Sequence, residues 1–438
     1  MRVFLHIGAP KTGTSAIQYF MNTNRPVLER LGFYYPEHHL DQNNVSGGHT
    51  DLGVSLIEKD MVRARQIVEG RLKEAEERQC HLVLSGESFY GFFKELKELF
   101  SGHSVYIISY YRDPLESLIS NHNQVVKRHF EIRNLNEYLS TFIGQPAYGF
   151  SGEVLFKWHS LFGKERLHVW PYSKNAFPGG SIEYSFLSIL GINEAEWCGF
   201  VLRQGGINSS YTDEALELKR LLNHVLGMDD HHINAQLDWS MQKYSDNAGS
   251  AAGEKTFPRV KPEILTELAE QFAAPKRQVI NEFLAFKPAD FSEKVGESLS
   301  FGRLGADGGE RLKKVISVWE AVKANLPDIA TRIEERVASA TKQKQAPFAL
   351  FRLADVMGLD YSEPKTDIGI PPSALKVFTN EKAGIPDFLR ELTKVLVDQG
   401  RDEEAYALIK RAVALRPKGP ALIKLHEEIA ARLEGGCS

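Results

Sequence analysis

Three observations predict an α/β fold: a parallel sheet flanked by helices, with a helical C-terminal extension. Short apolar runs of strand length alternate with helical patterns through the first half of the chain, an order that produces a parallel sheet covered on both faces. The first apolar run leads straight into a glycine-containing loop and then a helical pattern, the strand–loop–helix layout of a phosphate-binding unit. From about residue 211 the apolar residues keep helical spacing and lose their strand character.

In order, "RVFLHI" (2–7) reads as the first strand and "HIGAPKTGTS" (6–15) as the loop that makes the sheet P-loop-type. "TSAIQYFMNTN" is the following helix, with Ile17, Phe20 and Met21 on one face. Further strands are expected at "HLVLSG" (81–86), "SVYIISYYR" (104–112) and "RLHVWPY" (166–172), with a helix at "MVRARQIVEGRLKEAEER" (61–78). "DEALELKRLLNHVL" and "KPEILTELAEQFAAPKRQVINEFLAF" read as amphipathic helices that finish the domain. The Gly-, Ser- and charge-rich stretch 288–311 reads as a linker. The predicted organisation is therefore a domain at 1–290, a linker at 291–311 and a helical region at 312–438. In that region "LTKVLVDQGRDEEAYALIKRAVALRP" (392–417) looks like a tetratricopeptide-type helix pair, placed near 386–433, with Ala405 and Ala412 permitting close contact. One copy fits a protein-binding module or an isolated hairpin packed on the body, and both readings stay open.

Composition narrows the class. With 438 residues, 42% hydrophobic, 25% charged and a net charge of -4, the chain is ordinary for a globular protein and predicts no general attraction to nucleic acid or anionic membrane. Any anion site must be local. Cys80, Cys198 and Cys437 are widely spaced with no CxxC, which argues against a disulfide framework or a zinc site. The first strand begins at Arg2 and no stretch approaches ~20 uninterrupted apolar residues, so a cytoplasmic protein without a transmembrane segment is expected.

The loop suits an anion, because a strand-to-helix turn offers unpaired N–H groups and the positive end of the helix dipole. Gly8 and Gly13 let the backbone fold around it, Pro10 stiffens the approach, and Thr12, Thr14 and Ser15 add hydroxyls. Lys11 precedes the second glycine, the reverse of a nucleotide kinase loop. No convincing strand ends in an Asp suited to Mg²⁺; Asp113, between Arg112 and Pro114, suits a structural turn. In "YYRDPLESLIS" Arg112 leaves a strand and Ser120 follows about two helical turns later, a separation able to grip a second phosphate.

"PKTGTS" with its strand resembles the 5′-phosphosulfate-binding loop of the sulfotransferase family, and "RDPLESLIS" resembles that family's 3′-phosphate motif. The likeness extends loosely to about residue 290 and leaves the C-terminal third uncovered. It implies 3′-phosphoadenosine 5′-phosphosulfate (PAPS) as sulfuryl donor, PAP as product and no metal. It also implies that Lys11 stabilises the bridging oxygen, that Pro10, Thr12, Gly13, Thr14 and Ser15 shape the 5′ site, and that Arg112 and Ser120 hold the 3′-phosphate. "LRQGGINSSYTDEALEL" (202–218) resembles a late loop of the family, although it departs from the commonest Lys- and Gly-rich version; the likeness implies Arg203, Gly205 and Gly206 as donor contacts, and Ser210 or Thr212 is the expected cap of the next helix.

For the base that deprotonates the acceptor, Glu87 is the first choice, since it follows a buried strand at the edge where open sheets bind ligands. The alternative for Glu87 is a cap or a salt bridge. His49 in "SGGHTDLG" is the second choice, as an exposed loop histidine near neutral pKa. His6 reads as structural, Tyr172 as a packing residue or a donor contact, and His122, Gln124, Lys127 and Arg128 as a helix face that either reaches the site or is solvated. The loop and the acidic residue look more like those of carbohydrate sulfotransferases than of the small-phenol enzymes, which implies a hydroxyl on a carbohydrate or glycolipid as acceptor, with lipid and small alcohol also open. A small-metabolite kinase using Mg²⁺-ATP and a non-catalytic nucleotide-binding or assembly protein are the competing functions.

Overall fold

The computed structural model describes residues 1–38, 47–146, 148–202, 211–249, 260–284, 308–343, 346–361, 371–398 and 401–435. The sheet has five parallel strands, β1 (Arg2–Ile7), β2 (Phe33–Tyr34), β3 (His81–Gly86), β4 (Ser104–Tyr111) and β5 (Leu167–Pro171), in the order β2-β3-β1-β4-β5. The four longer strands stand where the apolar runs predict them. β2 pairs with β3 through only two residues, too few to show any periodicity.

The longer helices of the first compact unit, residues 1–361, are α1 (Thr14–Thr23), α2 (Thr50–Ile57), α3 (Met61–Glu77), α4 (Pro114–Arg128), α5 (Val154–Phe162), α6 (Ile182–Leu190), α7 (Asp213–Leu222), α8 (His231–Gly249), α9 (Pro262–Phe283), α10 (Gly308–Asn325), α11 (Pro327–Ala340) and α12 (Phe348–Met357). Strand alternation sends Val3, Leu5 and Ile7 into one core with Val68 and Leu72 of α3 and Trp158 of α5. Phe4 enters a second core with Ile17, Phe20 and Met21 of α1 and Phe186 of α6. Both faces of the sheet are covered, which is why its strands read as mostly apolar runs.

Register decides where a site can form. His6 pairs with Ser85 of β3 and with Ile108 of β4, and Ile7 pairs with Gly86, so β1 and β3 end level. From β1 the chain runs to β2 at one edge and returns to β3 between them, then crosses to β4 and β5 on the other side of β1. Such a reversal opens a crevice outside the carboxyl ends of the strands. The loop after β1, Glu87 after β3 and Arg112 after β4 all leave from that edge.

The domain boundary differs from the expected one. Residues 291–307, most of the predicted linker, lie outside the described residues. α10 begins at Gly308, and Val315, Val318, Trp319 and Val322 on it share a core with Leu218, Leu221 and Leu222 of α7 and Leu237 of α8. Helices 308–361 therefore complete the first unit, and the division falls between Tyr361 and Ser362. Periodicity announces an apolar face without naming what covers it.

The second unit, 362–438, holds α13 (Ile385–Asp398), α14 (Asp402–Leu415) and α15 (Pro420–Gly435). Ala405, Ile409 and Ala412 of α14 are fully buried against its neighbours with Leu422 and Ile429 of α15. Among the described residues no helix is long and apolar enough to cross a membrane.

If α10 belongs to the first unit, Trp319→Ala should destabilise that unit by about 3–5 kcal/mol, the cost of removing a buried aromatic. Urea unfolding of the full chain measures this, and a loss below about 1 kcal/mol would mean that α10 packs there only loosely.

Candidate functional site

The loop after β1 is bent by two left-handed residues, Lys11 at φ 65° and Gly13 at φ 76°. A side chain at Gly13 would meet Ile182 Cδ1 at 2.7 Å and the Tyr172 ring at 2.9 Å, so glycine is required both for conformation and for space. Gly13 is the N-cap of α1, and no side chain caps that helix. α4, by contrast, is capped by Asp113, whose Oδ1 accepts from Leu115 and Glu116 N–H. Asp113 also pairs with Lys276 of α9 at 2.6 Å, which accords with its reading as a structural turn. Thr12 departs from its expected role as a hydroxyl donor to a ligand. It is buried, and its hydroxyl donates to Ala9 O at 2.7 Å, bracing the loop from within.

Arg112 joins the two motifs. Its Nη1 donates to the Lys11 carbonyl at 3.1 Å across 101 residues of sequence, its Nε reaches Glu116 Oε2 at 3.3 Å, and its guanidinium lies over the Tyr172 ring at 5.3 Å. Tyr172 also presses on Gly13 and on Phe177, so it supports both the loop and the arginine. Ser120 lies on α4 one turn before Gln124 on the same face. Gln124 Oε1 in turn accepts from the Lys11 ammonium at 2.6 Å, which turns that face of α4 toward the loop.

The charges here are crowded. Burial pulls the Lys11 amine below its ordinary pKa; Glu87 opposes that shift, while Arg112 and Arg128 add to it. Glu87 keeps solvent access at its surface, yet surrounding protein raises its carboxyl pKa, against the pull of Lys11 and the Thr14 hydroxyl. A carboxylate shifted upward next to a cation is a usable proton acceptor at neutral pH. Further along α4, Lys127 bonds Gln242 at 2.7 Å and lies 3.8 Å from the Tyr211 ring centroid. Burial brings Lys127 down to about 8, with Arg128 and Lys11 adding to the effect and Asp238 opposing it. Tyr211 donates to Asp238, which also faces Arg128 at 3.8 Å.

His49 is not the exposed loop residue expected of a base. It is fully buried, with burial taking it down to about 3. Ser85 N–H donates to its Nδ1 at 3.0 Å, so Nε2 carries the proton and donates to Pro36 O at 3.1 Å. Its glycine neighbour explains the error, because Gly48 forms a bridge with Gly86 and draws the segment over the end of β3. His6 is likewise internal, with Nδ1 on Ser85 Oγ at 2.8 Å, and burial takes it to about 3. His122 is buried against Tyr138 with Nε2 on Arg133 O at 3.0 Å. Arg203, Gly205, Gly206 and Ser210 lie outside the described residues. Thr212 occupies the N-cap position of α7 without a side-chain cap.

The contacts of Lys11 with Gln124 and of Arg112 with Tyr172 were not foreseen, although helical spacing from Ser120 selects Gln124. Compared with protein-family models, curated proteins and solved structures, the chain gives no match.

The two buried imidazoles set an acid limit on stability. Each is neutral in the folded protein down to about 3 but titrates near 6.5 when unfolded, so the unfolded state binds more protons below that value and stability falls with pH. Between pH 7 and pH 5 each ring should remove about 2 kcal/mol, measurable by urea unfolding at both values. His49→Gln should flatten the slope; an unaltered slope would show that the ring is not neutral in the fold.

Proposed function

We propose that the chain is a PAPS-dependent sulfotransferase acting on a hydroxyl acceptor, on a carbohydrate or glycolipid. The observation that carries this reading is the bond from Arg112 to the Lys11 carbonyl. It puts the loop resembling a 5′-phosphosulfate site and the motif resembling a 3′-phosphate site in one crevice, as a donor anionic at both ends requires. The uncapped start of α1 and its glycine N-cap suit an anion, and Lys11, Arg112, Lys127 and Arg128 add positive charge nearby.

In this reading the backbone of residues 10–15 holds the 5′ end of the donor, with Thr14 and Ser15 contributing hydroxyls and Thr12 only its main chain. Arg112 and Ser120 hold the 3′-phosphate. Glu87 accepts the proton of the acceptor hydroxyl as its oxygen bonds to sulfur. The bond from sulfur to the 5′-phosphate oxygen breaks on the opposite side, and the Lys11 ammonium stabilises the charge left on that oxygen. PAP and the sulfated acceptor depart.

Incubation with ³⁵S-labelled PAPS and a panel of saccharides, glycolipids and small alcohols tests the reading. Label should pass to a hydroxyl acceptor, and Lys11→Ala should slow transfer by roughly 10²–10³-fold, as expected on losing one transition-state donor. Transfer unaffected by this substitution would remove Lys11 from the reaction. Ser120→Ala, which leaves the bond from Arg112 to the loop in place, should weaken PAP binding by roughly tenfold and leave adenosine 5′-phosphosulfate binding nearly intact. Equal losses for both ligands would contradict a 3′-phosphate role.

A further inference from the structure

Lys11 makes one contact that the two motifs do not explain. Its ammonium donates to Gln124 Oε1 at 2.6 Å, although 113 residues separate them. The charged groups around it come from every element of the crevice: Glu87 from the end of β3, Arg112 from the end of β4, and Arg128 and Lys127 from α4. Lysine has a flexible four-carbon stem and a strongly hydrated point charge that loses its proton readily when buried. Beside other cations, the ammonium needs an acceptor that supports its charge without cancelling it. An amide oxygen does this, whereas a carboxylate would neutralise the ammonium and an apolar side chain would leave it unsupported.

We propose that Gln124 is the positioning residue of this site, holding the Lys11 ammonium in place over the loop after β1. Among these groups Gln124 is the neutral tether, on α4, and Glu87 at the strand edge is the neighbour of opposite charge. The benefit to the leaving oxygen rests on the sulfotransferase reading above. The hydrogen bond and its effect on the amine do not.

The test is therefore read first on the amine itself. The full chain is trace-labelled with acetic anhydride across a pH series, and Lys11 acetylation is followed by peptide mass spectrometry in wild type, Gln124→Leu and Gln124→Glu. The Lys11 midpoint should move to lower pH in Gln124→Leu and to higher pH in Gln124→Glu, while exposed Lys73 titrates alike in all three. A common Lys11 midpoint overturns the proposal whatever reaction the protein performs. The second readout is kinetic. Gln124→Leu should lower kcat about tenfold, the worth of one hydrogen bond to a charged group, with PAP affinity unchanged and a deficit that grows as pH rises. A deficit independent of pH and matched by lost PAP affinity would mean a general disturbance of α4 and would also overturn it. Wild type that neither binds PAP nor transfers sulfuryl would refute the sulfotransferase reading, leaving the labelling result to decide on Gln124.

Discussion

The site depends on one interaction, the hydrogen bond from the Arg112 guanidinium to the backbone carbonyl of Lys11. A left-handed lysine is a costly conformation, worth roughly 1–3 kcal/mol of strain, and it persists only where its surroundings hold it. Arg112 holds it from the end of β4, Tyr172 backs the guanidinium, and Gln124 restrains the side chain. The same arginine is thus part of the scaffold and a candidate ligand for an anion. Its planar, permanently charged fork suits both tasks, which a lysine would not.

Behind the loop lies a buried polar layer. Ser85 accepts from Gln18 at 3.1 Å and meets His6, while its backbone N–H reaches His49. Ser85 is followed directly by Gly86 and Glu87, so these bonds fix the end of the strand that presents the carboxylate. Neutral imidazoles serve here because each has a donor and an acceptor nitrogen and carries no charge to desolvate. The network specifies position, and its cost appears as sensitivity to acid.

The sheet could be read from the sequence because β1, β3 and β4 are buried on both faces and are mostly apolar, while β5, at the edge, alternates buried and half-buried residues. The crevice could be read as well, since a loop after a strand must lie at the carboxyl edge. Other features were hidden because they depend on distant partners. His49 sits among glycines and polar residues, and nothing local says that Ser85 and Pro36 will occupy its ring. The helices of 308–361 show apolar faces that would suit a separate domain equally well, until α7 and α8 are seen to cover them. Gln124 has helical spacing from Ser120, but the Lys11 ammonium that it meets belongs to another motif.

The most direct test of the central claim, that this crevice takes a nucleotide anionic at both its 5′ and 3′ positions, is calorimetric titration of the full chain. PAP, adenosine 5′-phosphosulfate and ATP would each be titrated with and without Mg²⁺. PAP should bind most tightly, and Mg²⁺ should make no difference to it. ATP binding that requires Mg²⁺ would contradict the account and favour a kinase, and failure of all three to bind would favour a non-catalytic role.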